Sequence, residues 1–596
     1  MTPPFLFLPM FPDEMKRLGW REPDVLIVTG DAYVDHPSYG AALIGRLLES
    51  RGYKVGLIAQ PDWNTLEDFK RLGRPRLCVC VTAGNVDSMV ANYTANKRPR
   101  RDDDHSPGGH RGRRPDRASI VYINRLRAAF KDLPVILGGV EASMRRLAHY
   151  DYWDNAVRRS LLLDAKADLL IYGMGERPIV EVMDRLNRGE SIRTLRDVRG
   201  TVVRVKPEEI PTGAVVLPSF EEVSTKTDAF NEAFRLTHQE SSPTRGRPLA
   251  QKHAHQCVLQ NPPALPLTTP ELDASYERPY QRTWHPSYDA VGGVKGFETV
   301  RGSITALRGC PGECSFCGIT MHQGRVVQSR SPESILREAR RVAQHPDFKG
   351  TINDVGGPTA NLYAARCPRW DKADPCSDKQ CLMPKKCRSL KQGCDPALSL
   401  YEAIRRLPGV KHVFISSGLR YDLLLEPEAD AYFESLCEHY VSGQMKVAPE
   451  HTDNKVLALM NKPPHELYEA FVRKFEEINS RIKNRKYLVN YFISAHPGAG
   501  LEEAFSCAMT LLSQGLRPEQ VQDFLPLPMT VAGAMYHTGA HPLTAEAVYV
   551  PKEDRERAMQ RALVQSQNPA NGTLIWKALS LLGKTHLSGR FTKRCQ

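Results

Sequence analysis

"RGCPGECSFCG", residues 308–318, sets Cys310, Cys314 and Cys317 in a CxxxCxxC pattern with Phe316 just before the last thiol. A structural zinc ion takes four tetrahedral ligands, usually as two CxxC-like pairs. Three thiols leave one position on a metal centre unfilled. Soft thiolates also suit iron, and at this spacing they can hold three irons of a [4Fe–4S] cluster while the fourth iron stays open to a substrate or cofactor. The surroundings give this loop a place. Strand-like runs occur at "TVRGSITALRG", "GTINDVGG", "GVKHVFISSG", "MKVAPEH", "YLVNYFISAHPG" and "VQDFLPLPM", with helical stretches such as "SPESILREARRVAQ" and "PHELYEAFVRKFEEINSR" between them. Six strand–helix units over residues 298–560 predict a partial or full (β/α) barrel of TIM type. The cysteine loop follows its first strand, on the face where barrel chemistry gathers.

Upstream, residues 23–60, "PDVLIVTGDAYVDHPSYGAALIGRLLESRGYKVGLIAQ", run from a β-branched stretch through a turn into an amphipathic helix and a second apolar run. "RLCVCVTAG", "LPVILGGVEAS" and "ADLLIYGMGERPIVEVMDRL" repeat the theme, and Cys78 and Cys80 read as core thiols. Residues 1–195 therefore predict a Rossmann-like, doubly wound α/β domain with Gly-rich loops at its strand ends. From 196 to 297 the alternation gives way to turn- and Pro-rich sequence, read as an irregular connecting segment. His253, His255 and Cys257 in "KHAHQCV" lack a fourth partner and read as a surface strand edge.

A second cysteine group, Cys367, Cys376, Cys381, Cys387 and Cys394, falls in a Lys-rich insertion at residues 365–396 after the second barrel strand. Five thiols in so short a polar stretch point to an auxiliary iron–sulfur cluster or a zinc ion, with unligated thiols as the alternative. Cys257, Cys437, Cys507 and Cys595 stand alone and read as inert. His451 and His496 end apparent strands and either face the pocket or serve structurally. Residues 561–596 predict a tail: a short amphipathic helix, then a basic end.

No apolar run reaches bilayer length and no leader pattern opens the chain, so a cytoplasmic protein without a membrane partner is expected. In a reducing compartment the 14 cysteines read as ligands or buried thiols rather than disulfides. A formal net charge of +13 favours an anionic partner, RNA above all. The charged run at 97–117 is either a solvated loop or a phosphate contact; it lacks the aromatics that would stack bases.

The cysteine motif at the mouth of such a barrel resembles that of radical S-adenosylmethionine (SAM) enzymes. "SGLRYDLL", "MKVAPEHTDNKVLALMNKP", "YFISAHPG" and "DFLPLPMTVAGAMY" look like barrel elements of the subgroup that includes methylthiotransferases. The whole chain from "DAYVDHPSYG" onward is similar to the YgiQ-type family of radical SAM proteins. The resemblance implies that Cys310, Cys314 and Cys317 bind three irons and that SAM chelates the fourth through its amino and carboxylate groups. Reductive cleavage of SAM would then give a 5′-deoxyadenosyl radical that abstracts hydrogen from a substrate. Gly356 and Gly357 match the first two positions of the GGE motif that meets the SAM amino group; Pro358 replaces the Glu, which leaves that contact to backbone carbonyls. Ser417 and Arg420 stand where relatives contact the SAM ribose or carboxylate. The alternatives are that the glycines simply turn the chain and that Arg420 pairs with Asp422 or Glu450. The resemblance further implies an electron donor such as flavodoxin or ferredoxin, and an RNA or protein substrate. Relatives with cobalamin carry a DxHxxG loop; here Asp35 directly precedes His36, so base-off ligation is not expected. Two other classes stay open at this point: a metal-stabilised nucleic-acid-binding protein, and a non-catalytic iron–sulfur sensor.

Overall fold

The computed structural model describes residues 6–372, 375–376 and 379–592; Cys595, read above as inert, lies outside them. The runs "VLIVT", "VGLIA" and "CVCVT" are apolar throughout rather than alternating, as strands covered on both faces must be. They form β1 (Val25–Thr29), β2 (Val55–Ala59) and β3 (Cys78–Thr82), buried along nearly their whole length. β4 (Val135–Gly138) and β5 (Leu169–Ile171) continue the sheet in parallel, in the order β2-β1-β3-β4-β5. Amphipathic helices such as Gly40–Glu49 and Glu176–Asn187 cover it. The expected α/β layering is present.

The expected connecting segment is not what residues 196–297 form. They supply β6 (Thr201–Val205), β7 (Val215–Leu217), β8 (Leu249–His253) and β9 (Gln256–Gln260) to the same sheet. Among the described residues the sheet has nine strands in the order β2-β1-β3-β4-β5-β6-β9-β8-β7. It is mixed: β6 runs antiparallel to β5 and β9, and β8 antiparallel to β9. Each added strand spans only three to five residues between Pro-rich connections, a length that shows little periodicity. The "KHAHQCV" stretch is a two-residue hairpin rather than a surface edge. Ala254 takes φ 52 at its tip, His253 and Cys257 are buried, and the His253 ring stacks on Phe220.

The second half is an open barrel. β10 (Ser303–Thr305) pairs in parallel with β11 (Asp354–Gly356), and Thr351–Ile352 just before β11 pair with β12 (His412–Val413). A parallel bridge from Leu419 to Val447 leads to β13 (Gln444–Glu450), then β14 (Tyr487–Ser494) and β15 (Gln520–Asp523). The outer helices bury one stripe each. In His465–Arg481 the stripe is Tyr468, Phe471, Phe475 and Ile478, spaced by helical turns, with Phe471 stacked on Phe433 at 5.4 Å. The boundary expected at residue 560 falls inside the helix Asp554–Val564, which packs with Leu501–Ser513 and Gly572–Leu581 around one apolar cluster. The chain from 561 to 592 is thus packed structure. Among the described residues no helix is long and apolar enough to cross a membrane.

Two buried ion-paired networks fix the halves. Asp35 takes the Arg46 guanidinium and also accepts from Gln281 N at 3.0 Å, tying the first βα loop to the chain that enters the barrel. His36 beside it is 1% exposed, accepts from Ser38 N through Nδ1 and packs edge-on against Phe297. Glu338 is shared by Arg282 and Arg330, which also donate to the carbonyls of Ser303 and Thr305 on β10. Removing one partner of a buried pair leaves an uncompensated charge at a cost of several kcal/mol. Asp35→Ala is expected to destabilise the N-terminal unit by about 3 kcal/mol, seen by calorimetry as a lowered first unfolding transition.

Candidate metal centre

β10 runs into Leu307–Arg308, which pair antiparallel with Gln328–Ser329 and close a loop containing Cys310, Cys314 and Cys317. Short bonds hold the loop in shape. Cys310 N donates to Gly324 O at 3.0 Å, Thr320 Oγ1 to Cys310 O at 3.0 Å, and Cys317 N to Cys314 O at 3.0 Å. The barrel clamps it from the other side: Ser315 N donates to Met460 O at 2.9 Å, and Ala532 N to Ser315 O at 2.9 Å. Asn461 donates to Glu313 O at 3.0 Å.

Two of the thiols, those of Cys310 and Cys314, meet around Gly312. A methyl group there would stand 3.3 Å from Cys310 Sγ, 3.9 Å from Cys314 Sγ and 3.1 Å from Arg420 Nη1. Burial raises the Cys314 thiol and pushes that of Cys317 up to about 12. Against the burial of Cys314 work two cations, Lys462 and Arg420, each 8% exposed. Arg420 presents Nε and Nη2 to Asp422, at 3.0 and 2.7 Å, and turns Nη1 to the thiols. Both readings of Arg420 thus find support in its geometry: it is paired, and one edge of its fork still faces the loop. Lys462 lies 3.9 Å from Glu450, a carboxyl at the end of β13 whose own pKa is raised by burial.

Of the other expected residues, Gly356 and Gly357 sit where β11 presses against its neighbours. A Cβ on Gly356 would collide with Ser417 and one on Gly357 with Leu307 O, so close packing alone requires glycine at both positions. The Gly356 carbonyl already accepts from Ala306 N at 2.7 Å. Ser417 is committed to Asp354, which also takes Ser416 N and Ser417 N at 2.7 and 2.9 Å. His496 is fully buried, shares 3.3 Å with Ser315 Oγ and lies edge-on to Phe316 at 6.0 Å. It braces the cysteine loop, and burial holds its ring neutral, down to about 3. His451 is neutral for the same reason and caps Asp453 N. Sequence reading passed over Lys462 and Thr359, whose Oγ1 is 3.5 Å from Cys310 Sγ, and took Glu450 only as a partner for Arg420. A charged residue closing a strand-like run, as in "MKVAPEH", was the available signal for Glu450.

The second cysteine group is less gathered. Cys367 and Cys376 are electrostatic neighbours of Cys381, and Cys387 N donates to Cys381 O at 2.8 Å. Cys394, however, opens the barrel helix Cys394–Arg405 rather than belonging to the insertion. Among the described residues no three His, Cys, Asp or Glu side chains surround a position for one shared metal ion. A four-iron cluster asks for something else, one thiolate per iron.

Comparisons with known proteins agree on what this site belongs to. Residues 7–303 match the family described as Radical SAM N-terminal, 304–505 the Radical SAM superfamily, and 519–595 a domain of unknown function (DUF3362). A UPF0313 protein of Methanocella arvoryzae is 51% identical over 580 residues, 97% of this chain and 96% of its own. One from Clostridium botulinum is 50% identical over 583 residues, 98% of this chain and 91% of its own. The chain belongs to the UPF0313 family of radical SAM proteins. Among solved structures, the cobalamin-dependent SAM radical enzyme OxsB, with aqua-cobalamin bound, superimposes with TM-score 0.51 at 11% identity, over 95% of this chain and 72% of its own. That likeness concerns the fold. The Radical SAM match carries with it the implication of a [4Fe–4S] cluster and SAM, and the thiols, two cations and buried carboxyl of this UPF0313 protein fit that pair of groups.

Because thiolate is the reactive form, cations near a buried thiol speed its alkylation. Lys462→Met in the metal-free protein is expected to raise the Cys314 pKa and so to slow its reaction with iodoacetamide at pH 8. A rise of about one in that pKa leaves roughly a tenth of the thiolate and slows the reaction about tenfold. Peptide mass spectrometry reads the rate, with Cys317, the thiol held highest by burial, modified late in both proteins.

Proposed function

We propose that this protein is a cytoplasmic radical SAM enzyme in which Cys310, Cys314 and Cys317 bind three irons of a [4Fe–4S] cluster and SAM takes the fourth. The observation that carries the reading is the meeting of Cys310 Sγ, Cys314 Sγ and the Arg420 guanidinium around Gly312. When bound, the cluster supplies the electron that cleaves SAM, and the radical released takes hydrogen from a substrate. The chain does the rest. The hairpin at Leu307–Arg308 and the bonds to Met460 and Asn461 fix the thiols before metal arrives. Arg420, already charged and oriented by Asp422, offers a planar edge suited to a carboxylate. Lys462 and Glu450 add one cation and one carboxyl beside Cys314. Burial raises the Cys314 and Cys317 thiols, so loading the site must expel their protons, and iron uptake should quicken as pH rises. Gly356, Gly357 and Ser417 shape the strand ends that would meet SAM.

Two finer parts of the reading have narrower support. The net charge of +13 favours an anionic macromolecule, RNA or an acidic protein, as substrate, with flavodoxin or ferredoxin as electron donor. The neighbouring thiols of Cys367, Cys376 and Cys381, with Cys387 bonded to the last, favour a second iron–sulfur or zinc centre.

Anaerobic reconstitution tests the main claim. The wild type is expected to bind about four irons at the first site and to form 5′-deoxyadenosine from SAM under dithionite; Cys314→Ala should lose both. Iron bound without any 5′-deoxyadenosine would end the enzymatic reading. Arg420→Met is expected to keep its iron and lose SAM-induced changes in the reduced cluster's EPR spectrum. A separate measurement covers the second centre: a chain with Cys310, Cys314 and Cys317 all changed to Ala should still carry iron or zinc by elemental analysis, and lose it on Cys381→Ser.

A further inference from the structure

Beside the cysteine loop lies a cavity of about 130 Å³, lined in part by Glu313 and Thr320 of that loop and without Arg420 in its lining. One wall is the C-terminal edge of the N-terminal sheet, where Tyr172 follows β5 and Gln260 ends β9; the other is the segment after the cysteine loop, including Met321 and His322. In open α/β sheets ligands gather at such strand ends.

Arg146 lines this cavity at 4% exposure. Its Nε donates to Gln260 Oε1 at 2.7 Å and its Nη1 to Ser143 O at 2.6 Å, and its guanidinium lies 4.6 Å over the Tyr172 ring. Among the described residues no carboxylate pairs with it. The nearby carboxylates are taken: Glu313 by Arg325, Glu176 by Arg308, and Glu271 by Arg177. Burial without a counter-ion pulls the Arg146 pKa down to about 10, which leaves it charged near neutral pH. Arg199, which donates to the carbonyls of Pro263 and Pro243 at the cavity rim, also has no ion pair among the described residues. Buried charge is costly unless paired, and no carboxylate in the described fold pairs the buried Arg146; Arg199 is half-buried.

The same Ser143 orients a second group. Its hydroxyl donates to Gly139 O at 3.0 Å and accepts from Gly173 N at 2.9 Å. With the Ser143 proton so placed, His322 Nδ1, 3.0 Å from that hydroxyl, must be the N–H partner. Burial keeps the His322 ring neutral, down to about 4, so Nε2 carries a lone pair ready to accept. A buried cation and a fixed acceptor are thus anchored on one serine, beside an apolar wall of Met321, Leu265 and Leu267.

We propose that this cavity is a second ligand site, separate from the face that Arg420 serves, for an organic molecule bearing a carboxylate or phosphate and a hydroxyl or N–H donor. The anion pairs with Arg146, the donor meets His322 Nε2, and the carbon frame lies on the apolar wall. Neither the cluster nor SAM enters this argument, so the site stands or falls independently of the enzymatic reading.

The test is thermal unfolding of the full-length protein titrated with inorganic phosphate and, separately, with malate, at ionic strength held constant with KCl. At least one anion is expected to raise the midpoint saturably, and which one distinguishes phosphate from carboxylate ligands. Arg146→Met should weaken that half-saturation about tenfold or more, as loss of charge-assisted hydrogen bonds does. Arg146→Lys, which keeps the charge without the planar fork, guards against a folding failure and should weaken phosphate protection by a smaller factor. Absence of saturable protection by both anions, or an unchanged half-saturation in both variants, overturns the proposal.

Discussion

Three thiols held within one half-buried loop are an electrostatic problem before they are a ligand set. As thiolates they repel one another and lack water; as thiols they bind no metal. The fold meets this with position rather than acidity. Lys462 and Arg420, both buried, stand beside Cys314, and each is held by a carboxyl, Glu450 and Asp422. The cations thereby hold their places beside Cys314, while the Glu450 carboxyl, an electrostatic neighbour of Cys314 and Cys317, works against them. The hairpin, the His496 brace and the clamp from Met460 are arranged around that need.

The barrel and the N-terminal sheet meet at this same loop. Glu313, between the first two cysteines, pairs with Arg325 at 3.0 Å. Arg325 in turn donates to the carbonyls of Cys376 and Lys379, each at 2.8 Å. The first cysteine loop and the second cysteine group are therefore mechanically joined through one guanidinium. On the other flank, Arg308 reaches across to Glu176 of the N-terminal unit and to the Tyr276 hydroxyl. Such paired contacts across large packed units restrict hinge-like motion, so the cysteine loop sits in a frame braced from three sides.

Much of this was legible in the sequence, and the reasons for the exceptions are physical. Long apolar runs such as "VLIVT" and "CVCVT" announce buried strands because nothing else uses five such residues in a row. The CxxxCxxC loop announces its place because it follows a strand at the mouth of a barrel. The segment 196–297 misled because Pro punctuates it and its strands are too short to show a period; apart from the β8–β9 hairpin, those strands pair with partners distant along the chain, as β6 does with β5 and β9. Lys462 was invisible for a different reason: a lysine in "MNKPP" reads as solvated, and only burial against Glu450 and Tyr421 gives it meaning. Gly356 and Gly357 were assigned to a ligand by resemblance, while the backbone contacts show a demand for glycine that holds with or without one.

The strand order of the N-terminal sheet also governs how the polypeptide emerges and matures. β9, the last strand of this sheet in chain order, lies between β6 and β8, so the antiparallel wing cannot close until residue 260 has been synthesised. Until then β6 presents an open edge, the kind of surface that invites wrong pairing. The first barrel strand begins at residue 303, only a short stretch beyond. Vectorial synthesis thus delivers the sheet's closing strand shortly before the strand that leads to the cysteine loop, and the site's scaffold is completed from the N-terminal side first.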